Sequence, residues 1–145
     1  MHPKLCQARF EEDLAGLNQE LCDMRGWTVF QNEYPILDIG FTSPQGRRLR
    51  LHAKCEGWNE QPASFTLQDW DGTVLTAVPP SSTNIFNPSM HRLTGLPFIC
   101  MAGTREYHTH ESHVNEKWEL IRAKAEYRLG EVVTQIWNGW RKANP

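Results

Sequence analysis

The chain has no CxxC pair, no apolar run of membrane-spanning length, no surplus of positive charge, no internal repeat and no low-complexity tract. Each absence removes a class of function. Its four cysteines, Cys6, Cys22, Cys55 and Cys100, are scattered, which argues against a disulfide framework and against a ribbon-type zinc site. Cys6 and Cys22 are expected to pack as small apolar groups. A formal net charge of −2 supplies no basic field for DNA or RNA. A membrane helix needs about 20 apolar residues, and the longest apolar stretches here fall well short of that. The opening Met1-His2-Pro3-Lys4 leads into mixed charge, unlike a signal peptide. The expectation is a cytoplasmic protein with neither nucleic acid nor membrane as partner.

What is present suits one domain over residues 1–145, with 39% hydrophobic and 22% charged residues. Phe10, Leu14, Leu17 and Leu21 recur at helical spacing, and Gly26 with Arg25 before it reads as a C-terminus, so a helix is predicted over about residues 4–24. The period then changes to two. Strands are predicted at Trp27 to Gln31, Ile36 to Phe41, Arg48 to Ala53 and Ala63 to Gln68. Ser43-Pro44-Gln45-Gly46 supplies a tight turn, and Asp71-Gly72 a hairpin into Thr73-Val74-Leu75. An irregular segment from Val78 to Met90 follows, of a length that is usually functional or mobile. Val114, Trp118, Ile121, Ala125, Leu129, Val132, Ile136 and Trp140 then keep a helical period, with Ser112 as N-cap and a kink expected at Gly130. The fold class is α+β: an N-terminal helix, an antiparallel β-meander, a long active-site loop and a C-terminal helix.

Chemistry concentrates between Cys100 and His113, where one cysteine, Glu106 and three histidines, His108, His110 and His113, lie within fourteen residues. Gly103 would allow a tight turn between the thiol and the histidines. His108 and His110 would share a side of an extended segment, and His110 and His113 a side of a helical turn. Three readings stay open at this point. The run is a solvated polar loop, or a zinc site built from thiolate, imidazole and carboxylate, or a nucleophilic thiol served by an imidazole. Elsewhere, Trp118, Trp137 and Trp140 are expected in the core, and Trp58 and Trp70 as interface anchors. Arg47, Arg48 and Arg50 are expected on a solvated strand edge, and His52 facing solvent.

The order of helix, meander, irregular loop, Ile99-Cys100-Met101 and C-terminal helix resembles ubiquitin-conjugating enzymes. Gly57-Trp58-Asn59-Glu60-Gln61-Pro62 is similar to the proline-containing stretch ahead of that family's last strand. His91, followed by Gly95-Leu-Pro-Phe-Ile99-Cys100, is similar to the family's histidine motif and catalytic segment, although Arg92 and Leu93 stand where the motif's asparagine would be. The resemblance implies that Cys100 forms a thioester with a ubiquitin-like protein. An adenylating activating enzyme would supply the ubiquitin-like protein and a target protein would receive it, with no cofactor. His108, His110 and His113 would assist the thiol or relay a proton. The C-terminal half also resembles a bacterial family labelled a predicted metal-binding domain, encoded beside ubiquitin-like proteins, activating enzymes and isopeptidases. That resemblance implies the alternative of a zinc-binding adaptor, with Cys100, Glu106, His108 and His113 as ligands, or of an inactive scaffold in the same pathway.

Overall fold

The computed structural model describes residues 1–81 and 84–145, so Ser82 and Thr83 of the expected irregular segment lie outside the described residues. The N-terminal apolar stripe forms two helices rather than one, α1 (Pro3–Asp13) and α2 (Gln19–Arg25). Two features stop the single helix. Gly16 weakens it, and the Asn18 side chain instead accepts the Leu21 N–H at 2.9 Å as the N-cap of α2. Gly26 ends α2 in the left-handed region at φ 70°. A side chain there would strike the Thr42 carbonyl, 2.4 Å from where its Cβ would sit.

Strands β1 (Trp27–Glu33), β2 (Ile36–Thr42), β3 (Arg48–Lys54) and β4 (Ser64–Gln68) form one sheet in sequential order, antiparallel throughout. The meander is therefore as expected. The turn at Ser43 closes through Gly46 N–H to the Ser43 carbonyl at 2.9 Å. Thr73 to Leu75 contributes a single bridge, Val74 to Gln68, in place of a fifth strand. Alternation places Leu37, Ile39, Phe41, Leu49, Leu51, Ala53, Phe65 and Leu67 on one buried face. Against it pack Phe10 and Leu14 from the N-terminal segment, and Leu129, Val132, Val133, Ile136 and Trp140 from α4 (Leu129–Arg141).

The C-terminal stripe departs from a continuous helix. Val114 is 54% exposed, and Trp118–Leu120 and Ala125–Tyr127 are short 3-10 turns ahead of α4. Tertiary bonds compete with the helical ladder here. Trp118 donates its indole N–H to the Asn59 carbonyl at 2.8 Å, and the Arg122 carbonyl accepts from the Asn59 amide at 3.1 Å. Gly130 sits in the first turn of α4 rather than at a kink, and lets the Asp13 carbonyl approach to 3.3 Å of a would-be Cβ. No helix among the described residues is long and apolar enough to cross a membrane.

Three surface expectations are corrected. Trp58 is fully buried, donating to Asp13 Oδ2 at 2.8 Å and packing on Trp118, because an indole whose N–H finds a carboxylate is cheap to bury. His52 does not simply face solvent, since its Nδ1 lies 3.0 Å from Asp38 Oδ2. Arg50 grips the same carboxylate through two nitrogens, at 2.8 and 3.0 Å, and lies 3.9 Å over Phe30. Trp118 and Trp140 are in the core as expected, and Trp137 packs against its edge.

Candidate functional site

Cys100 is placed by short-range bonds on both sides. Its N–H donates to the Ile85 carbonyl, and Phe86 bridges to Ile99 just before it. Downstream, the Thr104 hydroxyl lies 3.0 Å from the Ile99 carbonyl and 2.9 Å from that of Met101, closing a tight loop around the thiol. Gly103 takes the turn at φ 103°, where a Cβ would press on Val132 and Tyr127 at 3.1–3.2 Å. Thr104 bridges to Ala63 at the start of β4 and caps α3 (Arg105–Thr109). The sheet thus fixes the loop, and the loop fixes the thiol.

The four cysteines separate by environment. Cys6, Cys22 and Cys55 are buried, whereas Cys100 is partly exposed. Burial pushes the Cys22 thiol up and that of Cys55 up to about 12, so neither offers a thiolate at neutral pH.

Cys100 Sγ lies 3.7 Å from His113 Nε2, and His113 Nδ1 bonds Glu116 Oε2. A nitrogen facing a carboxylate carries the proton and donates it, which leaves Nε2 as the bare acceptor directed at sulfur. Tyr107 locks both partners: its hydroxyl donates to Glu116 Oε1 at 2.8 Å, and its ring stacks on the imidazole at 4.0 Å and 14°. The hydrogen bonds from Tyr107 and His113 hold the Glu116 carboxyl below the usual carboxylate range. Burial, with the Glu116 hydrogen bond and charge added, pushes the Tyr107 hydroxyl up to about 12, so it stays a donor. Thiol, imidazole and carboxylate stand in the order of a nucleophile, its base and the group that orients the base.

The other sequence-predicted residues are placed differently. His108 spends both nitrogens on the backbone: Nδ1 meets the Glu116 carbonyl at 2.7 Å, so it donates, and Nε2 accepts from Gly103 N–H at 3.1 Å. Burial holds it below the ordinary histidine value, so His108 is a neutral brace between the loop and the Glu116 turn. His110 caps α3, accepts from Ser112 N–H at 3.2 Å and stacks on Phe98. His91 is buried against Phe98, with Nε2 3.0 Å from the Glu106 carbonyl. Only His113 of the histidines bonds the thiol among the described residues. The segment is helical over Arg105–Thr109, so the extended pairing of His108 with His110 does not form.

The alternative zinc set does not fit this geometry. Glu106 turns toward β4, where Oε2 accepts from Ser64 Oγ at 2.6 Å and Oε1 from Phe65 N–H at 2.8 Å. His108 has no free nitrogen lone pair. Among the described residues, no group of three His, Cys, Asp or Glu side chains is placed to hold a metal ion.

The sequence reading missed Glu116 and Tyr107. The i,i+3 spacing of His113 and Glu116 on a turn was the available signal; Tyr107 carried none, since its partner lies nine residues on.

A model of the Y4jH family matches residues 81–143, the part of the chain that contains Cys100, Tyr107, His113 and Glu116. A curated relative, "Uncharacterized protein y4jH" of Sinorhizobium fredii (strain NBRC 101917 / NGR234), is 42% identical over 40 residues. That match covers 28% of this chain and 20% of the relative. The family-model match thus falls on the part of the chain that carries the thiol and its imidazole.

Proposed function

We propose that the chain is a conjugating enzyme for a ubiquitin-like protein, with a ubiquitin-conjugating type of fold, acting in the bacterial cytoplasm. One observation carries the reading: a partly exposed thiol, Cys100, faces the bare nitrogen of His113, which Glu116 and Tyr107 orient. The order of N-terminal helices, four-stranded meander, irregular segment, thiol and C-terminal helix supports it.

In the first step, Cys100 sulfur attacks the thioester carbonyl of a ubiquitin-like protein carried by an adenylating activating enzyme. The Cys100 proton passes to His113 Nε2. The bond to the activating enzyme's sulfur breaks, and that thiol leaves with a proton. In the second step, an amine of the target protein attacks the Cys100 thioester and gives a proton to His113. The carbon–sulfur bond breaks and Cys100 is restored. Thiolate suits both steps, being a good nucleophile and a good leaving group. Glu116 keeps the imidazole in the tautomer that accepts, and Tyr107 keeps Glu116 in place.

Mixed with its activating enzyme, ubiquitin-like protein and ATP, the chain should form an adduct that a thiol reductant cleaves. Cys100→Ser should replace it with a reductant-resistant oxyester or abolish it, whereas Cys6→Ala, Cys22→Ala and Cys55→Ala should retain it. A full adduct on Cys100→Ala, or none on the wild type, contradicts the assignment.

A further inference from the structure

We infer, resting on the carrier reading of the thiol, that His108 is its positioning residue. His108 touches neither sulfur nor acyl group, but its two ring nitrogens set where His113 stands relative to Cys100.

The base sits on a segment with little hold of its own. From His110 to Lys117 the chain is turn and bend, and its main-chain bonds are local, His113 N–H to the His110 carbonyl and Glu116 N–H to the His113 carbonyl, each at 2.9 Å. Such bonds shape a turn without fixing its place against the rest of the molecule. The two ends are anchored, His110 by stacking on Phe98 and Trp118 by its bond to Asn59. Between them, registration comes from α3. Tyr107 takes the Glu116 side chain, and His108 takes the Glu116 main chain, donating Nδ1–H to its carbonyl at 2.7 Å.

The His108 ring then continues to the thiol loop, where Nε2 accepts the Gly103 N–H at 3.1 Å. In that loop the Ile99 and Met101 carbonyls, one on each side of Cys100, converge on the Thr104 hydroxyl. The bonds close a circuit, from Cys100 Sγ through His113, Glu116 and His108 to Gly103 and back along the chain to Cys100. Its two partners need opposite roles from His108, a donor for the carbonyl and an acceptor for the N–H. A neutral imidazole supplies one of each. Loss of either bond frees the Glu116 turn from the thiol loop, and with it the reach of His113 to sulfur. Displacements of about 1 Å away from the reacting atoms can cost as much as about 10²-fold in rate.

The test separates the ring from its nitrogens in the full-length chain. His108→Phe keeps a planar ring against Tyr107 and Trp118 and removes both bonds. His108→Gln carries one donor and one acceptor on a planar amide and can restore them. The readout is the rate at which iodoacetamide alkylates Cys100 at neutral pH, followed by mass spectrometry, which reports the reactivity of the sulfur and needs no protein partner. His113→Ala sets the floor. His108→Phe should fall about tenfold toward it, with a nearly unchanged melting temperature, and His108→Gln should recover most of the rate. Discharge of the loaded thioester to an amine should show the same order, with kcat lowered and KM for the amine unchanged. Imidazole nitrogen-15 shifts should find His108 protonated at Nδ1 and bare at Nε2. Wild-type alkylation in His108→Phe beside a slow His113→Ala overturns the inference and leaves the carrier reading standing. Equal losses in His108→Phe and His108→Gln, or the opposite tautomer, overturn the role given to the nitrogens. Slowed alkylation in His108→Phe, in a chain that takes no adduct from an activating enzyme, upholds the positioning and contradicts the carrier.

Discussion

Strands β2 to β4 and the segment from Cys100 to Tyr127 are held by different means. In β3 and β4 every second side chain is buried, and Leu37 and Ile39 of β2 join Leu49, Leu51 and Leu67 on that face by the geometry of the pleat. Asp38 on the other face of β2 is buried as well. In the segment the backbone is mostly irregular, and bonds from side chains set its path: Thr104 to Ile99 and Met101, His108 to Gly103 and Glu116, Tyr107 to Glu116. The sheet owes its stability to area removed from water. The segment trades that stability for placement of a few polar atoms, as functional loops on a rigid scaffold do.

The contrast is sharpest for stability. Leu51→Ala in the sheet should cost about 2–5 kcal/mol by loss of buried surface and a residual cavity, whereas His113→Ala should change the unfolding free energy by less than about 1 kcal/mol. Urea titrations followed by circular dichroism compare the two, and equal losses would break the distinction.

Each region also holds one buried carboxyl, and their signs oppose. Burial pushes Asp38 in the sheet up, but hydrogen bonds from Arg50 and His52 outweigh it and leave it below its ordinary value. Its contribution is present above the unfolded value of about 3.9 and is lost as pH falls through the folded one. Burial raises Glu106 in the segment despite its bonds from Ser64 and Phe65. Its ionisation therefore costs stability as pH rises from the unfolded value, about 4.3, through the folded one. Asp38→Asn should flatten the acid limb of a stability-against-pH curve, and Glu106→Gln should remove a decline on its rising side. The same sign for both variants would contradict the two environments.

Tyr107→Phe keeps the stacked ring and removes only the hydroxyl that holds Glu116. A loss of roughly tenfold in transfer rate is expected, about the worth of one hydrogen bond to a charged group, with the pH dependence of that rate altered and the melting temperature nearly unchanged. The smallest effect should come from Arg92→Ala, since its pair with Glu111 is largely exposed on both sides, at 80% and 67%. Less than about 1 kcal/mol is expected there.

The same contrast decides what the sequence could reveal. Alternation at Leu49, Leu51 and Ala53 reports burial directly, so the meander and its turn at Ser43 to Gly46 were legible. Cys100, Gly103 and His113 were legible as types suited to the chemistry. The helical stripe from Val114 was misleading, because Trp118 gives its indole to Asn59 and turns the chain away from a regular ladder. The single N-terminal helix failed for a local reason, the capping oxygen of Asn18. His52 and Arg50 looked solvent-facing because the carboxylate they share, Asp38, sits between apolar neighbours in the sequence. Within the histidine run, spacing could not separate His113 from His108 and His110. What separates them is which nitrogens the backbone leaves unbonded, and no periodicity encodes that.

The claim at the centre is that His113, oriented by Glu116, moves the proton in acyl transfer from Cys100. Single-turnover discharge of the Cys100 thioester to an amine acceptor tests it most directly, with wild type, His113→Ala and Glu116→Gln loaded to the same extent before the activating enzyme is quenched. From equal starting loads, discharge should slow about 10²-fold or more in His113→Ala and by a smaller factor in Glu116→Gln. Discharge at the wild-type rate in His113→Ala would contradict the account.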